Sequence, residues 1–171
     1  MPIEHDLTRV PTADLLLLYS EVVAELTRRH ITRSANNPSS DYAELLVSKA
    51  LRLAPAPKST KGYDAKDERG RRYQVKARRI TQLNRPTRFG AIRNLNENQF
   101  DFLVAVLFRE DFTVQNAALL TRREVKERAS WQQHVNAWIL RINEELWNTK
   151  GAHDITTKLR SAQRSLNHSG T

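Results

Sequence analysis

Apolar residues first recur at helical spacing: Leu15, Leu18, Tyr19, Val22, Val23 and Leu26 follow a Pro-Thr start and predict a helix from about Thr12 to His30 with one broad apolar face. The cluster from Arg33 to Ser40 is rich in helix-breaking residues and predicts a loop. A second helix is expected from about Asp41 to Leu53, burying Tyr42, Leu45, Leu46 and Ala50. Ala54-Pro-Ala-Pro57 ends it, because proline cannot extend the backbone ladder. The period then changes. Tyr63 to Ala65 and Arg71 to Arg78 flank an Asp-Glu-Arg-Gly turn and predict a hairpin, and the nearly continuous apolar run from Phe100 to Phe108 predicts a central strand covered on both faces. Phe112 to Leu119 is a further apolar stretch, and Thr121-Arg-Arg-Glu124 fits a capping box at a helix start. Trp131, Val135, Trp138, Ile139, Ile142 and Leu146 form the stripe of a longer helix, with Trp131, Trp138 and Trp147 packing against the sheet. Asp154 to Leu166 is expected as a final amphipathic helix capped by Asp154.

Helices, then strands, then helices imply an α/β fold, a mixed β-sheet flanked by helices. A chain of 171 residues supports one core. Residues 1–35 are expected as a helical extension, 41–120 as the core and 121–171 as C-terminal helices.

Charge narrows the partner. The chain carries a net +9, and the segment from Lys58 to Arg93 alone contains twelve Lys or Arg against Asp64, Asp67 and Glu68. The rest of the chain balances, so the positive field has one source. That favours a polyanion, nucleic acid before an anionic membrane, because cations that neutralise phosphates release condensed counterions. With no cysteine there is neither a disulfide framework nor a thiolate zinc site, and a cytoplasmic setting is expected. Met1-Pro-Ile-Glu-His-Asp is acidic where a signal peptide is basic, and Leu15 to Leu18 is too short to span a bilayer, so no membrane anchor is expected. The absence of a glycine-rich phosphate cradle disfavours nucleoside triphosphate chemistry.

The hairpin carries the candidate chemistry. Alternation along the second strand points Tyr73, Val75 and Ala77 to the core and Arg72, Gln74, Lys76 and Arg78 to the other face. Phosphodiester hydrolysis needs a cation against developing phosphate charge, an activated water and a group to orient it. Asp64 can hold magnesium, Gln74 can add a neutral oxygen or orient water, and Lys76 can polarise the attacking water or stabilise the charged transition state.

Asp64, nine intervening residues, and Gln74-x-Lys76, preceded by a helix bearing Glu44, resemble the PD-(D/E)xK nuclease superfamily, the restriction-endonuclease-like fold, over roughly residues 41–120. The resemblance implies a mixed sheet flanked by helices and a Mg²⁺ cofactor for which Mn²⁺ can substitute. It further implies Asp64 and Glu44 as metal ligands with Gln74 in the second acidic position, and Lys76 as the catalytic lysine. Two departures stand out: Gly62-Tyr63 replaces the proline before the aspartate, and glutamine replaces an acid, which removes one negative charge that Glu44 can partly restore. The expected activity is metal-dependent endonucleolytic cleavage of DNA, restriction-like or repair-like, with RNA not excluded as a partner. A non-catalytic nucleic-acid-binding module on a degenerate scaffold is the alternative.

Plainer roles compete for the same residues. Asp64 and Lys76 could form an exposed cross-strand ion pair, and Asp41-Tyr-Ala-Glu44 is itself a capping-box pattern. Lys58, Lys61, Arg72, Arg78, Arg79, Arg85, Arg88 and Arg93 are expected to contact phosphates, which positions nucleic acid without reading sequence. A homodimer formed through the Leu15 to Leu26 face is a further expectation.

Overall fold

A computed structural model describes residues 6–34, 37–148 and 151–168. In chain order the helices and strands are α1 (Thr12–Arg28), α2 (Ser39–Leu51), β1 (Ala54–Pro55), β2 (Ala65–Lys66), β3 (Arg72–Arg79), β4 (Phe102–Phe108) and β5 (Val114–Thr121), followed by α3 (Arg122–Arg128), β6 (Ser130–Gln132), β7 (Ala137–Ile139), α4 (Glu144–Asn148), β8 (His153–Asp154) and α5 (Thr156–His168). The sheet order β1-β2-β3-β4-β5-β8 and a separate β6-β7 ribbon make a mixed α/β fold.

β4 lies between β3, to which it is parallel, and β5, to which it is antiparallel. Its apolar run follows from that position, since Val104, Val106 and Phe108 enter a core with α2 and α5, while Leu103 and Ala105 enter a second core on the opposite face. A parallel pair needs a crossover. Residues 80–101 provide it without an α-helix, burying Phe89, Ile92, Leu95 and Phe100 in the second core. The β2-β3 turn is the expected one: Asp67 Oδ1 accepts from Arg69 N at 3.0 Å and Arg71 N at 2.9 Å, and Gly70 takes φ +76°. Thr121 and Glu124 form the reciprocal capping box that starts α3.

The long helix expected from Trp131 to Leu146 is replaced by the β6-β7 ribbon and the short α4. Trp131 and Trp138 pair directly across the ribbon, rings edge to face at 5.7 Å, and Asn136 turns the chain at φ 46°. A cross-strand aromatic pair and docking of Trp138 on Ile92 outweigh a spacing that also suits a helix. The region 121–171 is therefore not purely helical. Trp147 meets Phe89 edge to face at 6.3 Å.

α1 matches its expected position but buries no residue, and Leu16, Leu17, Leu18, Tyr19 and Val22 are exposed. Before α5, Asp154 accepts from Thr156 N at 2.8 Å from within β8. Among the described residues, no helix is long and apolar enough to cross a membrane.

Candidate active site

β2 stops pairing at Ala65, opposite Tyr73, and the two strands fork there. Asp64 fills the fork. Its N–H donates to Tyr73 O at 2.7 Å, its carbonyl accepts from Ala56 N at 2.8 Å, and its Oδ2 accepts from Val75 N at 2.7 Å, taking the place of the next ladder bond. Two backbone bonds and one carboxylate bond hold Asp64 in the fork, and the residue forms part of the wall of a cleft. Burial raises the Asp64 pKa above the ordinary 3.8, against the opposing pull of the Val75 N–H, Lys76 and Arg33.

Gln74 and Lys76 share the β3 face opposite the one on which Tyr73 and Val75 pack against α2. The crossover covers much of that second face too, so the polar row is desolvated in its middle: Gln74 is 9% exposed and Lys76 partly buried, whereas Arg78 at the end of the row is exposed. Its Nε2 donates to Gly62 O at 3.3 Å, and its Oε1 is buried without a donor. Reversing the amide would set two carbonyl oxygens against each other, so the bond to Gly62 fixes which atom is orphaned. Gly62 can aim its carbonyl this way because it adopts φ +90° and a side chain there would collide with Gln99. Lys76, two residues on, is held below the ordinary 10.5 by burial, with Arg78 and Arg93 adding to the effect and Asp64 opposing it. Asp64 and Lys76 thus attract each other from partly buried positions with no contact ion pair between them. The exposed cross-strand pair is not what the chain builds.

Glu44 reaches the same cleft from α2. The cleft encloses about 340 Å³, with Arg33, Asp41, Glu44, Lys58, Tyr63 and Asp64 among its walls. Glu44 pairs with Arg33, whose Nη1 also donates to Ala56 O at 3.3 Å. The capping-box reading of Asp41 and Glu44 falls, since α2 begins at Ser39, where Asn37 Oδ1 accepts from Ser39 N at 3.0 Å. Asp41 instead accepts from Arg33 N at 2.7 Å and Ser34 N at 3.0 Å, pinning the α1-α2 loop. Arg33 and Asp41 were not legible as site residues, because one lies in a breaker cluster and the other resembles a cap.

The structure spreads the expected phosphate-binding residues over several surfaces. Lys58 lines the cleft and Lys61 is exposed nearby, while Arg85, Arg88 and Arg93 are exposed on the crossover. Arg78 donates to Arg88 O at 3.2 Å, which ties it to that crossover. Arg72 departs from the expectation: it grips both Asp101 carboxylate oxygens at 3.2 Å and staples β3 to the start of β4. Arg79 departs too, lying over the Phe112 ring at 4.3 Å on the face opposite Arg78.

Among the described residues no three His, Cys, Asp or Glu side chains converge on a common metal position. The oxygens available near the fork are the Asp64 and Glu44 carboxylates, which both line the cleft, and the donor-less Gln74 Oε1, which is buried on β3 behind it. All are hard oxygens, and a buried carbonyl without a donor suits a magnesium ion that keeps some of its waters. A larger groove of about 1290 Å³ runs between α1, α5 and the β4-β5 turn. Of its five arginines four are engaged: Arg28 and Arg29 with Glu25, at 2.7 and 2.6 Å, Arg160 with the Val114 and Gln115 carbonyls, both at 2.9 Å, and Arg164 with Ser161 Oγ at 3.0 Å. It offers no carboxylate and lysine together, so the smaller cleft is the candidate centre.

A scan of the chain against protein-family models finds no match, and a search of curated proteins finds none either.

Proposed function

We propose that this protein is a Mg²⁺-dependent endonuclease of the PD-(D/E)xK type that hydrolyses phosphodiester bonds in DNA, in a restriction-like or repair-like role. The observation that carries the proposal is the β2-β3 fork, where the Asp64 carboxylate is held by Val75 N at 2.7 Å and interacts electrostatically with a partly buried Lys76, whose strand face also carries the donor-less Gln74 Oε1. A magnesium ion bound there would supply positive charge against the phosphate and a water of lowered pKa. Asp64 Oδ1 and Gln74 Oε1 would hold it, with Glu44 as a third donor. Lys76 would orient the attacking water and stabilise the charge that develops on the phosphate. Its buried position withdraws that charge from solvent screening, which strengthens it. Lys58, Lys61, Arg85, Arg88 and Arg93 would steer and position the duplex. A cytoplasmic setting and two-fold assembly through the exposed residues of α1 belong to the same proposal.

One observation favours a second reading. Glu44 is neutralised by Arg33 and glutamine stands in the second acidic position, so the cleft holds little net negative charge for a metal. A nucleic-acid-binding module without catalysis would fit that. Incubating linear, supercoiled and branched DNA and RNA with Mg²⁺ or Mn²⁺ separates the two: the nuclease cuts at least one substrate, whereas the binding module retards them without cutting and without metal dependence.

A further inference from the structure

Arg33 is the one cation inside the described cleft whose guanidinium bridges two of its walls, joining Glu44 on α2 to the Ala56 carbonyl beside β2, while its charge also reaches Asp64. Its backbone does not share the freedom of its side chain. Asp41 Oδ2 accepts from Arg33 N, Ser34 N and Ser34 Oγ at 2.7, 3.0 and 3.1 Å, so the anchor is fixed, whereas the side chain is 37% exposed and can swing on its long stem. We propose that Arg33 is a phosphate-binding residue of the candidate site, parked on Glu44 in the free protein, and that it gives Glu44 up to a divalent cation when a phosphodiester enters the cleft.

The inference rests on the nuclease reading above. Glu44 presents one carboxylate at this wall, and a guanidinium cannot shed its proton to make room for a metal, so the two cations compete for Glu44 and exchange only by displacement. A partly exposed ion pair is weak enough to break. The released guanidinium is a planar fork that matches phosphate oxygens with two parallel hydrogen bonds, and phosphate is the anion that the metal would bring beside it. Exchange also offsets the charge of Glu44 before substrate arrives and links metal loading to nucleic-acid binding.

The test is Mn²⁺ binding to the full-length, metal-free protein, followed by electron paramagnetic resonance, together with duplex DNA binding followed by fluorescence anisotropy in Ca²⁺. Arg33→Ala is expected to bind Mn²⁺ about tenfold more tightly than the parent without DNA, and duplex about tenfold more weakly, the scale usual for coupled sites. Arg33→Gln, which keeps a donor for Glu44 but not the charge, is expected to show the same two changes should the alanine variant fail to fold. In a Glu44→Gln background the gain in Mn²⁺ affinity should vanish. Unchanged or weaker Mn²⁺ binding by both Arg33 variants overturns the exchange, as does a gain that persists in the Glu44→Gln background. If the parent still cleaves with Mg²⁺ in a Lys76-dependent way, only the exchange is lost. If no variant binds Mn²⁺ and the parent does not cleave, the nuclease reading fails with it.

Discussion

Asp64 illustrates how a buried carboxylate works against the stability of the fold. Folded Asp64 keeps its proton to higher pH than the unfolded chain does, so between 3.8 and its raised pKa the folded state binds more protons, and stability falls as pH rises through that window. Above it the full cost of the ionised carboxylate is present. Asp64→Asn, which can still accept from Val75 N, is therefore expected to be more stable than the parent at neutral pH and to lose that advantage below 3.8, while cleavage disappears. Urea denaturation at several pH values checks the sign. Gln74 supports a second expectation. Gln74→Glu places a charge where the neutral amide now sits, so it should lower the Mg²⁺ concentration needed for half-maximal cleavage and destabilise the metal-free protein by about 1–3 kcal/mol, the usual cost of burying a poorly paired polar group. Metal titration of cleavage and metal-free melting test the two halves separately. Asp64, Gln74 and Lys76 were legible because one strand and one turn bring them together. Arg33 was not, because a long-range contact with Glu44 that no local period encodes is what places it in the cleft.

At the scale of elements, the readable parts were those in which local chemistry and tertiary context agree. The Thr121 to Glu124 capping box is set by residues three apart and needs nothing distant; Thr121→Ala should cost about 1 kcal/mol, read as a lower denaturation midpoint. β4 was readable because burial on both faces demands an unbroken apolar run. The stretch from Trp131 to Leu146 was not readable. Its residues satisfy a helical spacing, yet Trp131 and Trp138 are also seven apart around a four-residue connection, which places them opposite each other in a ribbon. Docking of that ribbon on Ile92 chose between the two, and Ile92 lies in a crossover whose path the sequence does not mark. α1 shows the converse: its apolar face was legible as a helix, but within the described chain that face is only partly covered, with Leu15, Val23 and Leu26 half-buried and Leu18, Tyr19 and Val22 exposed.

Across the whole molecule, the excess charge was visible as a cluster in sequence, but its distribution was not. Arg72 and Arg79 are used to hold the fold together, whereas Arg85, Arg88 and Arg93 remain exposed on the crossover that covers the Gln74 and Lys76 face. Binding should follow that division. Replacing Arg85, Arg88 and Arg93 together with glutamine is expected to weaken DNA binding across all sequences and to lower the slope of log K against log salt by roughly 2–3, since each phosphate contact contributes about 0.9. Arg72→Gln should instead lower thermal stability with little change in that slope. Anisotropy titrations at several salt concentrations distinguish the two.

The most direct test is cleavage of a mixed panel of DNA substrates in Mg²⁺ by the parent and by Lys76→Ala, with binding measured in parallel. The parent is expected to cut at least one substrate, and Lys76→Ala to bind it with similar affinity while cutting it roughly 10²–10³-fold more slowly, the usual cost of removing one group that stabilises transition-state charge. Equal cleavage by the two proteins, or none by the parent with either Mg²⁺ or Mn²⁺, would contradict the assignment of the β2-β3 fork as a hydrolytic centre.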